Sequence, residues 1–264
     1  QGGQWWGMAR DLLETEPEFR AQVEAWDEAF RPHVDWSLIA TLSGNEPGKE
    51  DFDDLAILQP VLVALQASLA DWLIDRGARP QAVIGQSVGE IPAAYVAGIL
   101  SREDAARLAC LRGAAVARAA GRGAMGLVGL SEEETLSELG AADRRVEIAG
   151  QSAPGMTLVA GDREDTLTFL RDLAAREIFA RPLDVDFASH CFHMDPLLAD
   201  FSLKVGELSP AAGDIPFYSS VCGRHVPGET LGIEYWVKNL REQVRFVDVW
   251  LCTLEAAGHD QHRL

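Results

Sequence analysis

Apolar residues recur at helical spacing over residues 55–76 (LAILQPVLVALQASLADWLIDR), with Pro60 reading as a first-turn residue and Gly77 as a stop. A buried helix is predicted there. A short apolar run, Ala82-Val83-Ile84, then leads into Gly85-Gln86-Ser87-Val88-Gly89 and a stretch rich in small residues, 90–98. This pattern predicts strand, sharp turn and helix, with Pro92 in the first helical turn. Residues 101–120 read as another helix: Ser101-Arg102-Glu103-Asp104 has the form of a capping box, and Arg107, Leu108, Leu111 and Arg112 follow at helical spacing. From Ala124 the texture changes to two short apolar runs, Met125–Leu130 and Met156–Ala160, each linked to a charged, helix-like stretch, 131–139 and 162–176. That β-α-β-α order predicts a small inserted subdomain running to about Val185.

With 264 residues and 47% hydrophobic content the chain can bury a large core, enough for one main domain and a smaller appended one. A formal charge of -18 argues against a nucleic-acid surface, which needs concentrated Lys and Arg. An anionic substrate would have to be met by a few local cations, so each well-placed arginine gains weight. Cys110, Cys191, Cys222 and Cys252 are widely spaced and form no CxxC pair, which predicts a reduced, cytoplasmic protein without a metal site. No signal peptide and no apolar run of bilayer-spanning length is read from the sequence, so no membrane partner is expected. Both ends, Gln1-Gly2-Gly3-Gln4 and 258–264, read as cuts, as in an excised domain.

G-x-S-x-G between a strand and a helix is the pattern of a nucleophile elbow: the flanking glycines permit a tight turn and the Ser87 hydroxyl projects at a helix N-terminus. Backbone N–H groups there can hold an oxyanion, the amide of Val88 being the first candidate. The same pattern also suits a plain glycine-rich turn with a capping serine. A nucleophilic serine needs a base, and position along the chain nominates His190 and His193 without choosing between them. His33, His225, His259 and His262 lie in surface-like or loop segments. Arg112, between Leu111 and Gly113, could face inward and meet a carboxylate with its planar fork, or form a surface ion pair with Glu103 or Asp104.

These segments resemble, in order, the acyltransferase domain of modular type I polyketide synthases, and more distantly the malonyl-CoA:acyl-carrier-protein transacylases of fatty acid synthesis. Gln1-Gly2-Gly3-Gln4-Trp5-Trp6-Gly7-Met8 is similar to the opening GQGxQWxGM, and Gln59-Pro60 to the Gln-Pro that starts the helix before the elbow. Gly85 to Glu90 matches GHSxGE and Leu111-Arg112 the Leu-Arg beyond it. Phe187-Ala188-Ser189-His190 resembles the YASH or HAFH box, and Tyr235-Trp236, Asn239-Leu240-Arg241 and Val244-Arg245-Phe246 resemble YWxxNLRxPVRF. Three positions depart from the pattern: Gln86 replaces a His, Gln151 an Asn, and Gln243 a Pro.

The resemblance implies an α/β fold with an α/β-hydrolase-like core and parallel sheet over 1–122 and 186–264, and a ferredoxin-like small subdomain over 123–185. It implies Ser87 as nucleophile, His190 as general base, the main-chain carbonyl of Asn239 orienting the imidazole, and the amides of Val88 and Gln1 as oxyanion donors. Arg112 would clamp a substrate carboxylate, so that Arg112→Ala costs dicarboxylate transfer far more than stability. Gln86, Gln59, Phe187 and Ser189 would shape the pocket. The implied reaction carries a malonyl-type unit from acyl-CoA, through acyl-Ser87, to the phosphopantetheine thiol of an acyl carrier protein, beside a ketosynthase domain of the same polypeptide and with no bound cofactor. The Phe187–His190 box leans toward methylmalonyl, whereas Val88 is more like malonyl enzymes. A serine hydrolase or editing thioesterase, a starter-unit loading acyltransferase and a silent docking scaffold are the alternatives.

Overall fold

Pro17 opens a helix in which Phe19, Val23, Trp26 and Phe30 share one face, and all four are buried. In the computed structural model, which describes residues 4–5, 7–44, 54–140, 144–256 and 258, the chain gathers into two compact units. One is Gln1–Ala117, Lys204–Phe217 and Val226–Ile233; the other is Arg118–Leu203, Tyr218–His225 and Glu234–Leu264.

The first unit begins with α1 (Arg10–Thr15), α2 (Pro17–Phe30) and α3 (Leu38–Ser43), in a stretch whose pattern predicted no element. It continues through α4 (Leu55–Asp75), β1 (Val83–Ile84), a 3-10 turn (Ser87–Gly89), α5 (Glu90–Val96) and α6 (Arg102–Ala117). The predicted strand–turn–helix is therefore present, although the strand has only two residues. Its Val83 N–H donates to the Pro216 carbonyl at 2.9 Å. Ser101 caps α6, its Oγ accepting from the Asp104 N–H at 3.0 Å, as the sequence predicts.

Pro60 does not start α4. The cap is Asp54, whose carboxylate accepts from the Ala56 N–H at 2.8 Å, and Pro60 sits inside the helix. There α6 crosses very closely: a Cβ on Gly113 would lie 2.7 Å from the Leu55 carbonyl oxygen and 3.1 Å from Pro60 Cδ. By length and composition α4 is apolar enough to cross a membrane, which corrects the expectation that no run reaches that length. Leu58, Val61, Val63, Ala64 and Ala67 are buried, and the helix packs on α2 and α6, the environment of a core helix.

The second unit carries β2 (Gly123–Val128), α7 (Glu132–Gly140), β3 (Val146–Ala153), β4 (Met156–Asp162), α8 (Arg163–Ala175) and β5 (Ala180–Pro182). The order is thus β-α-β-β-α-β rather than the expected β-α-β-α. Strand β3 escapes the pattern because it does not alternate: register shifts fall between Ile148 and Gly150 and between Gln151 and Ala153. The four strands pair antiparallel in the order β3-β4-β2-β5, over a core of Val128, Val146, Val159, Phe169, Leu170 and Leu173. Helix α7 opens with a full capping box, Ser131 Oγ accepting from the Glu134 N–H and Glu134 Oε2 from the Ser131 N–H. The chain then forms α9 (Asp195–Val205), β6 (Phe217–Ser219), β7 (Arg224–His225), α10 (Ile233–Arg241) and α11 (Phe246–Ala256).

Candidate active site

Ser87 adopts φ 54°, a left-handed conformation that costs a non-glycine residue energy and concentrates at functional positions. The two glycines around it differ in their work. A Cβ on Gly85 would lie 2.4 Å from the Glu90 nitrogen and from the Gly89 carbonyl, so no side chain fits. Gly89 has ordinary helical angles, φ −65° and ψ −13°, with only Gln66 Oε1 at 3.9 Å. The turn therefore depends on Gly85 for close approach, and the strain falls on the serine itself. Val88 is buried in the turn that follows and Gln86 is exposed. Gln1, the other expected oxyanion donor, lies outside the described residues.

Arg112 is 1% exposed, which removes the surface ion pair as its role; Asp104 is paired with Arg107 at 2.7 Å instead. Its Nη1 donates to Gln59 Oε1 at 2.6 Å and its Nη2 to the Ser87 hydroxyl oxygen at 2.9 Å. Burial pushes its pKa down to about 10, and the charge of Glu90 opposes that shift; the guanidinium stays cationic at neutral pH. Glu90, fully buried at the start of α5, is a counter-charge that the sequence reading passed over. Its signals were its place at the end of the Gly85–Glu90 match and a carboxylate standing among small apolar residues.

In the second unit His190 also takes a left-handed conformation, φ 58°, and is 3% exposed. Its Nδ1 meets the main-chain carbonyl of Glu242 at 2.9 Å. The orienting carbonyl is thus not that of Asn239, which is buried within the last turn of α10. Glu242 lies just past the helix, where the carbonyl is released from the helical direction and can turn to the ring. A carbonyl only accepts, so Nδ1 carries the proton and the neutral ring has its lone pair on Nε2. His193 differs: its Nε2 meets Asp162 Oδ1 at 2.7 Å.

Ala188 packs so closely against β2 that a Cβ on Gly123 would come within 2.5 Å of its side chain. Phe187 is buried, and Ser189 Oγ donates to Met125 Sδ at 3.6 Å. The first unit thus gathers Ser87, Val88, Arg112 and Gln59, and the second gathers Phe187, Ser189, His190 and Asn239.

The acyl transferase domain model matches residues 1–260. Polyketide synthase GfsB of Streptomyces halstedii is 42% identical over 247 residues, covering 93% of this chain but only 4% of that protein. A loading acyltransferase from the avermectin modular polyketide synthase is 35% identical, with a TM-score of 0.91 over 97% of this chain and 81% of its own. The likeness extends to the malonyl CoA-acyl carrier protein transacylase of Coxiella burnetii, 25% identical with a TM-score of 0.86, over 98% of this chain and 82% of its own. A strained serine with a buried arginine on its hydroxyl thus stands in a chain that matches such enzymes throughout, and the protein belongs to the acyl transferase domains of modular polyketide synthases.

Proposed function

We propose that this domain transfers a malonyl-type acyl group from CoA to the phosphopantetheine thiol of an acyl carrier protein through an acyl-Ser87 intermediate. The observation that carries the reading is Arg112: a buried cation beside Glu90 whose Nη2 rests on the Ser87 oxygen. A guanidinium so placed suits a substrate with a free carboxylate near the reacting carbonyl.

In this reading Ser87 Oγ attacks the thioester carbonyl while His190 Nε2 takes the hydroxyl proton. The Val88 and Gln1 amides hold the oxyanion. The tetrahedral adduct collapses, the C–S bond breaks, and the departing CoA thiol takes the proton from His190. The carrier thiol repeats these steps in reverse order, restoring Ser87. Glu242 serves as the carbonyl that fixes the tautomer of His190. Gln59, Gln86, Phe187 and Ser189 shape the acyl pocket, with methylmalonyl favoured over malonyl. A methylene-sized choice is worth about 1–3 kcal/mol.

The fold assigned is an α/β-hydrolase-like core over 1–122 and 186–264 with a ferredoxin-like insertion over 123–185. The strand order of the insertion supports its ferredoxin-like part. A neighbouring ketosynthase domain and a cytoplasmic setting belong to the same proposal, the latter supported by four free cysteines. Likeness to a loading acyltransferase favours starter loading as the second reading. Intact-protein mass spectrometry with malonyl-, methylmalonyl- and acetyl-CoA tests both. A carboxylated adduct that is absent from Ser87→Ala and passes to a carrier protein is expected. A predominant acetyl adduct would favour loading, and release of free acid without carrier acylation would favour a hydrolase.

A further inference from the structure

We propose that Arg241 is a positioning residue for His190, acting through a clamp that binds three elements around the carbonyl of Glu242. The inference rests on His190 being the general base, as proposed above.

Arg241 is the last residue of α10, immediately before Glu242. Its Nη1 and Nη2 reach the two carboxylate oxygens of Glu147 on β3, at 3.0 and 3.4 Å, and its Nε donates to Asp195 at the start of α9. One guanidinium therefore uses three donors on two carboxylates, an arrangement that only the planar fork of arginine allows. Asp195 lies at the head of the helix that follows the His190 segment, so the clamp ties the chain after His190 to the chain before Glu242.

The other side of Glu242 is held too. Val244 donates its N–H to the Ala149 carbonyl at 2.9 Å and accepts from the Gln151 N–H at 3.3 Å, forming a parallel bridge opposite Gly150. A Cβ on Gly150 would lie 2.7 Å from the Val244 oxygen, so strand and segment approach as closely as backbone permits. Glu242 thus sits between an ionic clamp and a main-chain bridge that share β3 as their anchor. The carbonyl that faces His190 Nδ1 cannot drift unless one of them opens.

The burial of the clamp argues for position over stability. Side chains of Arg241, Glu147 and Asp195 are 27%, 38% and 53% exposed, and ion pairs this accessible contribute little to folding. Two of them converging on one residue next to the His190 partner are costly to arrange for so small a return in stability. Displacing a reacting group by about 1 Å can lower a rate by about 10²-fold, so a clamp of this kind acts mainly on turnover.

The test compares Arg241→Gln, Glu147→Gln and His190→Ala in the domain, measuring acyl-Ser87 formation from malonyl-CoA under single-turnover and steady-state conditions, with melting temperatures alongside. Arg241→Gln is expected to lower kcat at least tenfold while KM for malonyl-CoA stays within twofold and the melting temperature falls by only a few degrees. Glu147→Gln should shift kcat in the same direction to a smaller extent, and it serves if Arg241→Gln fails to fold. Arg241→Lys should recover part of the loss. If His190→Ala is inactive while both clamp variants keep kcat within twofold of the parent, the positioning role is overturned and the base assignment stands. If His190→Ala retains activity, the base assignment falls and the clamp inference with it. Parallel losses in KM, kcat and melting temperature in both clamp variants would mark a merely structural contact and also overturn the proposal.

Discussion

Arg112 Nη2 donates to the hydroxyl oxygen of Ser87 at 2.9 Å, so the buried cation rests on the serine. The same guanidinium faces the buried charge of Glu90, and this changes the expectation for its removal. Arg112→Ala would remove the cation that Glu90 faces together with the donors to Gln59 and Ser87, and thermal melting should show a clear destabilisation. Stability and transfer are then expected to fall together, whereas the resemblance alone implies a loss of transfer far larger than that of stability.

Arg112→Lys separates the two effects. It keeps a positive charge for Glu90 but lacks the fork that spans Gln59 and Ser87 and that, in the proposed role, would meet a carboxylate. Malonyl-CoA turnover is expected to fall about 10- to 100-fold, the equivalent of one charge-assisted hydrogen bond, with acetyl-CoA acylation much less affected. Equal losses for both substrates in a folded variant would remove the carboxylate-clamp role.

Gly85 and Gly89 flank Ser87 symmetrically in sequence but not in space. Gly85→Ala drives a methyl into backbone at 2.4 Å and should cost more than about 3 kcal/mol or abolish folding. Gly89→Ala meets only Gln66 Oε1 at 3.9 Å and should leave stability within about 1 kcal/mol of the parent. Chemical denaturation of the pair checks the contrast; equal destabilisation would refute it.

The bond from His190 Nδ1 to the Glu242 carbonyl at 2.9 Å makes a spectroscopic prediction. Nitrogen NMR of labelled protein should find the neutral His190 ring as the Nδ1–H tautomer, because the carbonyl can only accept. An Nε2–H tautomer would contradict the geometry.

Burial pushes the Cys110 thiol up to about 12 and, as the largest cause, the Cys191 thiol up to about 11. The thiolate is the reactive form, and a raised pKa leaves little of it at pH 8. Iodoacetamide should therefore label the exposed Cys222 well before Cys110 or Cys191, and labelling of the buried pair should accelerate as pH rises toward those values. Mass mapping of a time course would show it; early labelling of Cys110 in folded protein would refute it.

Helix α6 and the strand–turn–helix at Ser87 were legible because they rest on local signals: the Ser101 cap, the apolar run at Ala82–Ile84 and Gly85. Strand β3 was not, since its bulged register breaks the alternation that sequence reading depends on. Pro60 misled for a related reason. Its place in a helix depends on the Asp54 cap and on the close crossing at Gly113, neither of which lies in the apolar spacing.

By itself the sequence determined the residue types of the chemistry: a serine in an elbow, a histidine in its box, an arginine beyond. The family follows from that order of motifs, which is a property of the chain read linearly. Only the tertiary structure decided what surrounds them, because burial and hydrogen-bond partners join residues far apart in sequence. It placed Arg112 on the Ser87 hydroxyl rather than on a surface carboxylate, and gave Glu242, not Asn239, the carbonyl facing His190. The last carbonyls of a helix have no partner within it, and linear spacing carries no trace of which of them will turn to the ring.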